Sequence, residues 1–300
     1  MKLYFKWVDK NIENLNNKNF IVTGANVGIG FYLSLYLAYK KANVIMACRS
    51  LKKASIAKKK ILEIIPDAKI TIMELDLFSI ESIDNFVNQY QYSFNLCHGL
   101  INNAGVYHLP KQINKDGFEI VMGTNYLGTY YLSNKIFPIL NKTFDSRLIF
   151  TTSIAHRLSK INYDDFFSLN NYKPTFVYGR SKLAISKLFA YYSSIQSQVK
   201  IIATHPGISS TNLLNPDKGG FSKLFSNIGN FTLKIFTHSP AKACLSALYA
   251  VGNKNVKNGD IYGPRGFFEI SGYPKKRKLS KKAYQELDKH MEITKKFFEK

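Results

Sequence analysis

Short apolar runs rich in isoleucine and valine alternate with longer helical patterns along almost the whole chain. The runs that predict strands cover residues 19–23, 43–48, 69–74, 99–102, 147–152, 200–205 and 260–263. Strands that alternate with helices are typical of βαβ units, and strands that are apolar on both faces are typical of a buried parallel sheet. The sequence therefore predicts an α/β fold, a doubly wound parallel sheet of about seven strands with helices on both faces.

No linker or repeat divides the chain, so we expect a single domain over residues 1–300. Within it, the apolar residues of 208–240 predict a lid inserted over an apolar substrate. Two amphipathic helices packed on the domain are an equally weighted alternative for this segment. Residues 274–300 read as a basic C-terminal extension.

The charge is strongly positive, because 42 lysines and arginines against 20 aspartates and glutamates give a formal net charge of +22. Such an excess suits an anionic partner or a solvated lysine-rich surface. The basic residues are spread along the chain and form no stripe, which favours the solvated surface. We expect no nucleic-acid partner, and contact with an anionic membrane is the less favoured reading of the charge.

Three widely spaced cysteines, Cys48, Cys97 and Cys244, show no spacing of a metal site or a disulfide framework. They favour a reducing compartment, and the sequence predicts a cytoplasmic protein without a bound metal. No apolar run is long enough to span a bilayer. The first ten residues are predicted to form a short amphipathic cap on the domain, with a weak membrane anchor as the less favoured alternative.

A glycine loop follows the first predicted strand and opens the next helix. Its glycines, Gly24, Gly28 and Gly30, allow a tight turn and a close approach of the backbone to a phosphate, next to Asn26 and Ile29. The helix N-terminus adds free N–H groups and a partial positive charge. The spacing G-x-x-x-G-x-G differs from the common G-x-G-x-x-G, but its place between strand and helix indicates a dinucleotide site of the Rossmann type.

The end of the second strand carries Arg49 and Ser50 where an acidic residue would select NAD. A guanidinium can pair with a 2′-phosphate through two hydrogen bonds. The sequence therefore favours NADP(H) over NAD(H), and the alternative is that Arg49 only begins a solvated helix.

Two further strand ends supply candidates for the same ligand. Asp76, followed by Leu77, is placed to accept a hydrogen bond from an adenine amino group, or else to cap the next helix. Asn103, Ala104 and Gly105 follow the fourth strand, where small residues let the backbone lie against a ribose.

Tyr178 and Lys182 stand four residues apart in a predicted helix, so they share one helical face. An ammonium near a phenol is expected to lower the pKa of the Tyr178 hydroxyl towards neutrality. Ser153, at the end of the fifth strand, offers a hydroxyl to a substrate carbonyl. Each feature alone is common by chance, and their combination indicates an acid–base site.

With these motifs in order, the sequence resembles the short-chain dehydrogenase/reductase family from about residue 17 to the end. The motifs that carry the resemblance are TGANVGIG, LDL, NNAG, GTNYLG, Ser153, YGRSK and HPGISST. The segments ACRS, TTSIAHR and IYGPRGFFEISGYPK are similar to the branch that contains retinol dehydrogenases and protochlorophyllide-reductase-like proteins.

The resemblance implies roles for individual residues. Tyr178 would be the general acid–base, Lys182 would hold the nicotinamide ribose, and Ser153 would polarise the carbonyl. Both Tyr178 and Lys182 would therefore also contact the cofactor. Asn125 would hold a water in a proton relay. The residues that would position the nicotinamide are Pro206, Gly207 and Thr211.

The expected activity is hydride transfer between NADP(H) and a carbonyl or alcohol substrate, with an apolar, retinal-like aldehyde or ketone as the expected class. The alternative is a catalytically silent NADP(H) sensor on the same fold, which the complete set of catalytic residues disfavours. The resemblance also implies a homodimer through the helices predicted over 118–140 and 177–196.

Two smaller features have a plain interpretation. His156 and Arg157 either edge the substrate pocket or form a pair on the surface, and the surface pair is favoured. The basic run 274–278 resembles a nuclear import tag, but a solvated connecting loop is the better interpretation.

Overall fold

The computed structural model describes residues 3–170, 172–207 and 239–299. Its centre is an eight-stranded sheet in the order β3-β2-β1-β4-β5-β6-β7-β8. The strands are β1 Asn19–Thr23, β2 Asn43–Cys48, β3 Ile70–Glu74, β4 Gly99–Asn102, β5 Arg147–Thr151, β6 Lys200–Thr204, β7 Ile261–Pro264 and β8 Pro274–Lys276. The first seven are parallel to one another, which confirms the predicted doubly wound α/β fold of the Rossmann type.

Helices cover both faces of the sheet. They are α1 Phe5–Asn11, α2 Gly28–Tyr39, α3 Leu51–Ile64, α4 Ile80–Ser93, α5 Ile120–Met122, α6 Gly128–Lys142, α7 Pro174–Ser194, α8 Pro240–Ala243, α9 Leu245–Gly252 and α10 Leu287–Lys296. One core layer includes residues of α4, α6, α7 and α10, and the other includes residues of α1, α2, α3 and α9. Neighbouring strand residues alternate between the layers, so that Ile21 packs in the first and Val22 in the second.

Strand order reverses between β1 and β4, which are hydrogen-bonded neighbours although two strands lie between them in sequence. The loops after these two strands must leave in opposite directions, and a crevice opens between them at the carboxyl edge of the sheet. The glycine loop after β1 and residues 103–105 after β4 therefore stand on either side of this crevice.

The eighth strand corrects the interpretation of 274–278 as a solvated loop. Pro274–Lys276 pairs antiparallel with β7, with Tyr262 opposite Lys276 and Gly263 opposite Lys275. Its lysines are exposed, as expected for a charged edge strand that shields a sheet from further pairing.

The helix predicted over 118–140 is interrupted and runs further than expected. A π-helical turn, Gly123–Leu127, separates α5 from α6, and α6 continues through Pro138 to Lys142. Pro138 is exposed, and so is Asn134, whose carbonyl has no N–H partner at the proline. The prediction of one uninterrupted helix over 118–140 is therefore wrong.

Two predictions concern segments at the edges of the described structure. Of the lid predicted over 208–240, only residues 239 and 240 belong to the described residues. Within the described ranges, no helix combines the length and the apolar character needed to cross a bilayer.

Candidate active site

The glycine loop after β1 has the backbone that its sequence predicts. Gly24 and Gly28 have φ angles of +65° and +57°, where residues with a Cβ are strained. A Cβ on Gly30 would lie 2.2 Å from the Gly24 carbonyl oxygen, so the first turn of α2 packs directly on the loop. Val27 is the N-cap of α2 and offers no side-chain acceptor, which leaves the first N–H groups of the helix for a ligand.

Hydrogen bonds fix this loop to the end of β4. Thr23 Oγ1 accepts from the backbone N–H groups of Asn103 and Ala104, at 3.0 and 2.9 Å. Asn103 Nδ2 in turn donates to the Thr23 carbonyl at 2.9 Å. The two sides of the crevice are thereby held at a fixed separation, and Asn103 ties the end of β4 to the end of β1.

A cleft of about 900 Å³ runs along this edge of the sheet. Its walls include most of the residues predicted to bind the dinucleotide: Gly24, Asn26, Gly28, Ile29, Gly30, Arg49, Asp76, Leu77, Asn103, Ala104 and Gly105. The close-packed glycines, the uncapped helix start and the elongated cleft fit a nicotinamide dinucleotide, whose pyrophosphate would lie at the N-terminus of α2.

Three cations, Arg49, Lys53 and Lys60, line the cleft beyond β2 and along α3. Ser50 is not part of the wall, because its hydroxyl caps α3 by accepting from the Lys53 N–H at 3.4 Å. Asp76 does line the cleft, and its Oδ1 accepts from the Phe78 N–H at 3.0 Å, so part of its role is to shape the turn before α4.

The catalytic candidates meet where the cleft passes Gly105. A Cβ on Gly105 would lie 3.3 Å from Asn125 Oδ1 and 3.5 Å from Lys182 Nζ. The Ser153 side chain hydrogen-bonds the Tyr178 hydroxyl. Lys182 Nζ lies 5.7 Å from the centre of the Tyr178 ring and donates to the Thr151 carbonyl at 3.0 Å. The fold thus brings all four predicted catalytic residues together.

The ionisation of this pair differs from the sequence expectation. Burial raises the pKa of Tyr178 to about 12, although the hydrogen bond with Ser153 acts in the opposite direction. Burial also lowers the pKa of Lys182 to about 8. The expectation that Lys182 brings the phenol pKa towards neutrality is therefore not met, because desolvation is the larger effect for both groups.

Asn125 lies in the π-helical turn, and its side chain is fully engaged. Its Oδ1 accepts from the Val106 N–H at 2.7 Å, and its Nδ2 donates to the Val106 carbonyl at 2.9 Å and to Ser181 Oγ at 3.0 Å. Asn125 therefore joins the loop after β4 to α7, which carries Tyr178 and Lys182. A π turn at such a place is common in functional sites.

The other predicted cofactor residues follow β6. Gly207 has a φ of +74°, and a Cβ there would lie 2.2 Å from the Ile270 carbonyl oxygen, so only glycine fits the turn at Pro206-Gly207. Neither residue is part of the wall of the 900 Å³ cleft. Thr211 lies outside the described residues.

Five side chains near the site escaped prediction or were misplaced by it. His156 is buried, 2% exposed, which corrects its interpretation as half of a surface pair. His205 Nε2 lies 2.8 Å from Glu269 Oε2, and Arg157 holds both oxygens of the same carboxylate at 2.8 and 2.9 Å. Tyr107 packs edge-on against Tyr178 with the ring centres 4.8 Å apart. The motifs that contain several of these residues do not reveal their contacts, since the partners are distant in sequence.

A cleft that fits a dinucleotide, with a hydroxyl, a phenol and an ammonium grouped beside its wall at Gly105, defines a nicotinamide-dependent oxidoreductase. The family model for short chain dehydrogenase matches residues 18–219, and by that match the chain belongs to the short-chain dehydrogenase family.

Curated relatives place it in the retinol-dehydrogenase-like branch of that family. Retinol dehydrogenase 13 of Mus musculus is 34% identical over 247 residues, which cover 80% of this chain and 73% of that protein. Polyprenol dehydrogenase of Danio rerio is 32% identical over 261 residues, covering 82% and 78%. Among solved structures, an uncharacterized protein from Mycobacterium Paratuberculosis has a TM-score of 0.76 at 25% identity and covers 96% of both chains.

Proposed function

We propose that the protein transfers a hydride between NADP(H) and an apolar carbonyl or alcohol. The observation that carries the proposal is the group formed by Ser153, Tyr178 and Lys182, which lies beside the Gly105 wall of a cleft that fits a dinucleotide. A bound nicotinamide would supply or accept the hydride. The protein supplies the position of the substrate oxygen and the proton.

Each catalytic residue has a task that its surroundings support. Ser153 Oγ and Tyr178 Oη would both hydrogen-bond the substrate oxygen and polarise it. With a pKa of about 12, Tyr178 is protonated at neutral pH, which suits proton donation to the oxygen of a carbonyl. Lys182 is mostly an ammonium at neutral pH and would stabilise the phenolate that remains after proton transfer. Asn125 would keep α7 aligned with the cleft. We also propose that Asn125 holds the water of a proton relay, as the family resemblance implies.

The preference for NADP(H) rests on charge at the adenosine end of the cleft. Arg49, Lys53 and Lys60 line the wall there, and an arginine can bind a 2′-phosphate with two hydrogen bonds. Glu63 of α3 lines the same cleft, as does Asp76, so three cations stand against two carboxylates there. The balance of charge favours the phosphorylated dinucleotide.

Two arguments support an apolar substrate. The relatives are named for retinol and polyprenol, both long apolar alcohols. In this chain, large apolar side chains are exposed next to the catalytic loops, with Leu158 91% and Phe267 82% exposed, and the Tyr107 ring covers one side of Tyr178. The homodimer and the cytoplasmic location remain predictions from the sequence.

The test combines cofactor binding and turnover. Fluorescence titration with NADPH and NADH measures the two affinities, and a panel of aldehydes and ketones is then offered to wild type and to Tyr178→Phe. We expect tighter binding of NADPH, turnover of long-chain apolar carbonyls by the wild type, and retained binding without turnover by the variant. A wild type that binds NADPH but turns over no member of the panel would favour the sensor alternative.

A further inference from the structure

His156 links the catalytic serine to the C-terminal extension, residues 274–300. Its Nδ1 lies 2.6 Å from the Ser153 carbonyl oxygen, and its Nε2 lies 3.1 Å from the backbone nitrogen of Ser280. The ring is buried, and 124 residues of sequence separate it from its partner in the extension. This contact brings the far end of the chain to within one side chain of the active site.

The chemistry of the two partners fixes the form of the ring. A carbonyl oxygen only accepts a hydrogen bond and a backbone N–H only donates one, so Nδ1 carries the proton and Nε2 presents its lone pair. Burial lowers the pKa of His156, which agrees with this neutral form. Both ring nitrogens are satisfied, and the ring spans a gap that a shorter side chain would leave open.

The same stretch of the extension holds the loop after Ser153 at a second point. Lys282 Nζ donates to the carbonyl oxygens of Arg157 and Ser159, at 3.3 and 3.2 Å. Further along, Thr294 Oγ1 lies 2.7 Å from the hydroxyl of Tyr126, the neighbour of Asn125. The extension therefore contacts the chain next to two of the four catalytic candidates.

The Ser153 hydroxyl also makes a hydrogen bond that has no part in the proposed reaction. Ser153 is the N-cap of the short helical turn Ile154–Leu158, and its Oγ accepts from the Ala155 N–H at 3.3 Å. The same Oγ must face Tyr178 to take part in the reaction. A loop free to rotate about Ser153 would lose that orientation, and the bond between His156 and the Ser153 carbonyl oxygen restrains this rotation.

We propose that His156 is a positioning residue that ties the backbone of Ser153 to the C-terminal extension through Ser280. The extension thereby becomes part of the active site without supplying a catalytic residue. This inference rests on the proposed function, because it assigns His156 a role in the same reaction.

Ser280 allows a test that removes one hydrogen bond. Its φ of −63° is the value that proline adopts, so Ser280→Pro deletes the N–H that binds His156 with little strain at this residue. The control is Ser280→Ala, which keeps the N–H and removes a buried hydroxyl that has no hydrogen-bond partner among the described residues. We expect Ser280→Pro to lower kcat by about tenfold and leave the affinity for NADPH within about twofold, with Ser280→Ala close to wild type.

A double-mutant comparison tests whether His156 and Ser280 act through the same hydrogen bond. In a His156→Ala background, Ser280→Pro should lower kcat by less than about twofold further, because the bond it removes is already absent. His156→Asn places an amide donor near the Ser153 carbonyl and should retain more activity than His156→Ala. If Ser280→Pro is as active as Ser280→Ala, or if its full effect persists without His156, the proposal is wrong.

A readout that needs no turnover separates this proposal from the proposed function. In protein with ¹⁵N-labelled histidine, the His156 ring should show a protonated Nδ1 and a hydrogen-bonded Nε2, and Ser280→Pro should shift the Nε2 signal while Ser280→Ala does not. A His156 signal that ignores Ser280→Pro would overturn the present inference. A wild type with the expected signal and no carbonyl turnover would instead overturn the proposed function and, with it, the role assigned to His156.

Discussion

The cofactor side and the catalytic side of the crevice are assembled from different kinds of sequence information. On the cofactor side, the glycine loop and residues 103–105 are contiguous motifs at the ends of neighbouring strands, and their contacts join β1 directly to β4. On the catalytic side, Arg157 meets Glu269 across 112 residues and His156 meets Ser280 across 124. The cofactor loops are thus held together by hydrogen bonds between the ends of neighbouring strands, whereas the loop after Ser153 is held by bonds to the C-terminal part of the chain.

The largest effect is expected from a substitution that disrupts only the catalytic side. Lys182→Met replaces a buried ammonium by an apolar side chain of similar size, so the fold should tolerate it while kcat falls by roughly 10²–10⁴-fold. Steady-state kinetics with NADPH and an apolar aldehyde measure the loss. Lys187→Met, which removes another buried lysine of α7, is the control for general destabilisation, and equal losses of kcat in the two variants would contradict the role of Lys182.

The matching change on the cofactor side is Gly30→Ala. Its Cβ would meet the Gly24 backbone oxygen at 2.2 Å, so the loop or the start of α2 has to move. We expect a loss of roughly 1–3 kcal/mol in the free energy of unfolding and a marked loss of NADPH affinity. Gly117→Ala is the control, since its Cβ would meet nothing within 4 Å and only its φ of +82° opposes the change. Unaltered NADPH binding by Gly30→Ala would show that the close packing there is not needed.

Arg49→Ala tests how the cofactor side distinguishes NADPH from NADH. Loss of a charged hydrogen-bonding partner should weaken NADPH binding by roughly 10–100-fold and leave NADH binding nearly unchanged. Lys52→Ala serves as the control, because Lys52 is an exposed cation close to Arg49 in sequence that does not line the cleft. Parallel fluorescence titrations give the ratio of affinities, and equal weakening for both dinucleotides would argue against recognition of the 2′-phosphate by Arg49.

The smallest expected effect concerns Glu269 and depends on pH. Burial by itself raises the pKa of this carboxyl, but the hydrogen bonds and charges of His205 and Arg157 outweigh burial and lower the pKa to about 2. A pKa depressed in the folded state stabilises the protein above the ordinary value near 4.5, and this stabilisation is lost as the pH falls towards 2.

Glu269→Gln should therefore lower the free energy of unfolding by roughly 1–3 kcal/mol at pH 7 and by roughly half of that or less near pH 3. Denaturant titrations of wild type and variant at the two pH values measure the difference. A loss of stability that is the same at both pH values would assign the effect to packing and not to the ion pairs.

The sequence predicts the parallel sheet and the cofactor loop well, because both depend on local rules. Alternating apolar segments identified β1 to β7, and the spacing of Gly24, Gly28 and Gly30 between a strand and a helix identified the loop. The charged strand β8 was missed because its lysines lack strand propensity and only the open edge of β7 makes it a strand.

On the catalytic side, the burial of individual residues could not be predicted from the sequence. Residues beside a motif, such as His156, look solvated until the C-terminal extension is placed over them. The pKa of Tyr178 was misjudged for the same reason, since Lys182 is visible four residues away but the desolvation of both groups is not. Prediction of a motif is therefore more secure here than prediction of its electrostatics.

The most direct test of the central claim follows the hydride and the proton together. NADPH carrying deuterium at the transferable C4 position is mixed with an apolar aldehyde, and the alcohol formed is analysed by mass spectrometry. We predict one deuterium on the carbinol carbon of the product from wild type, and almost no product from Tyr178→Phe despite retained NADPH binding. An alcohol without deuterium, or a Tyr178→Phe variant as fast as the wild type, would contradict the account.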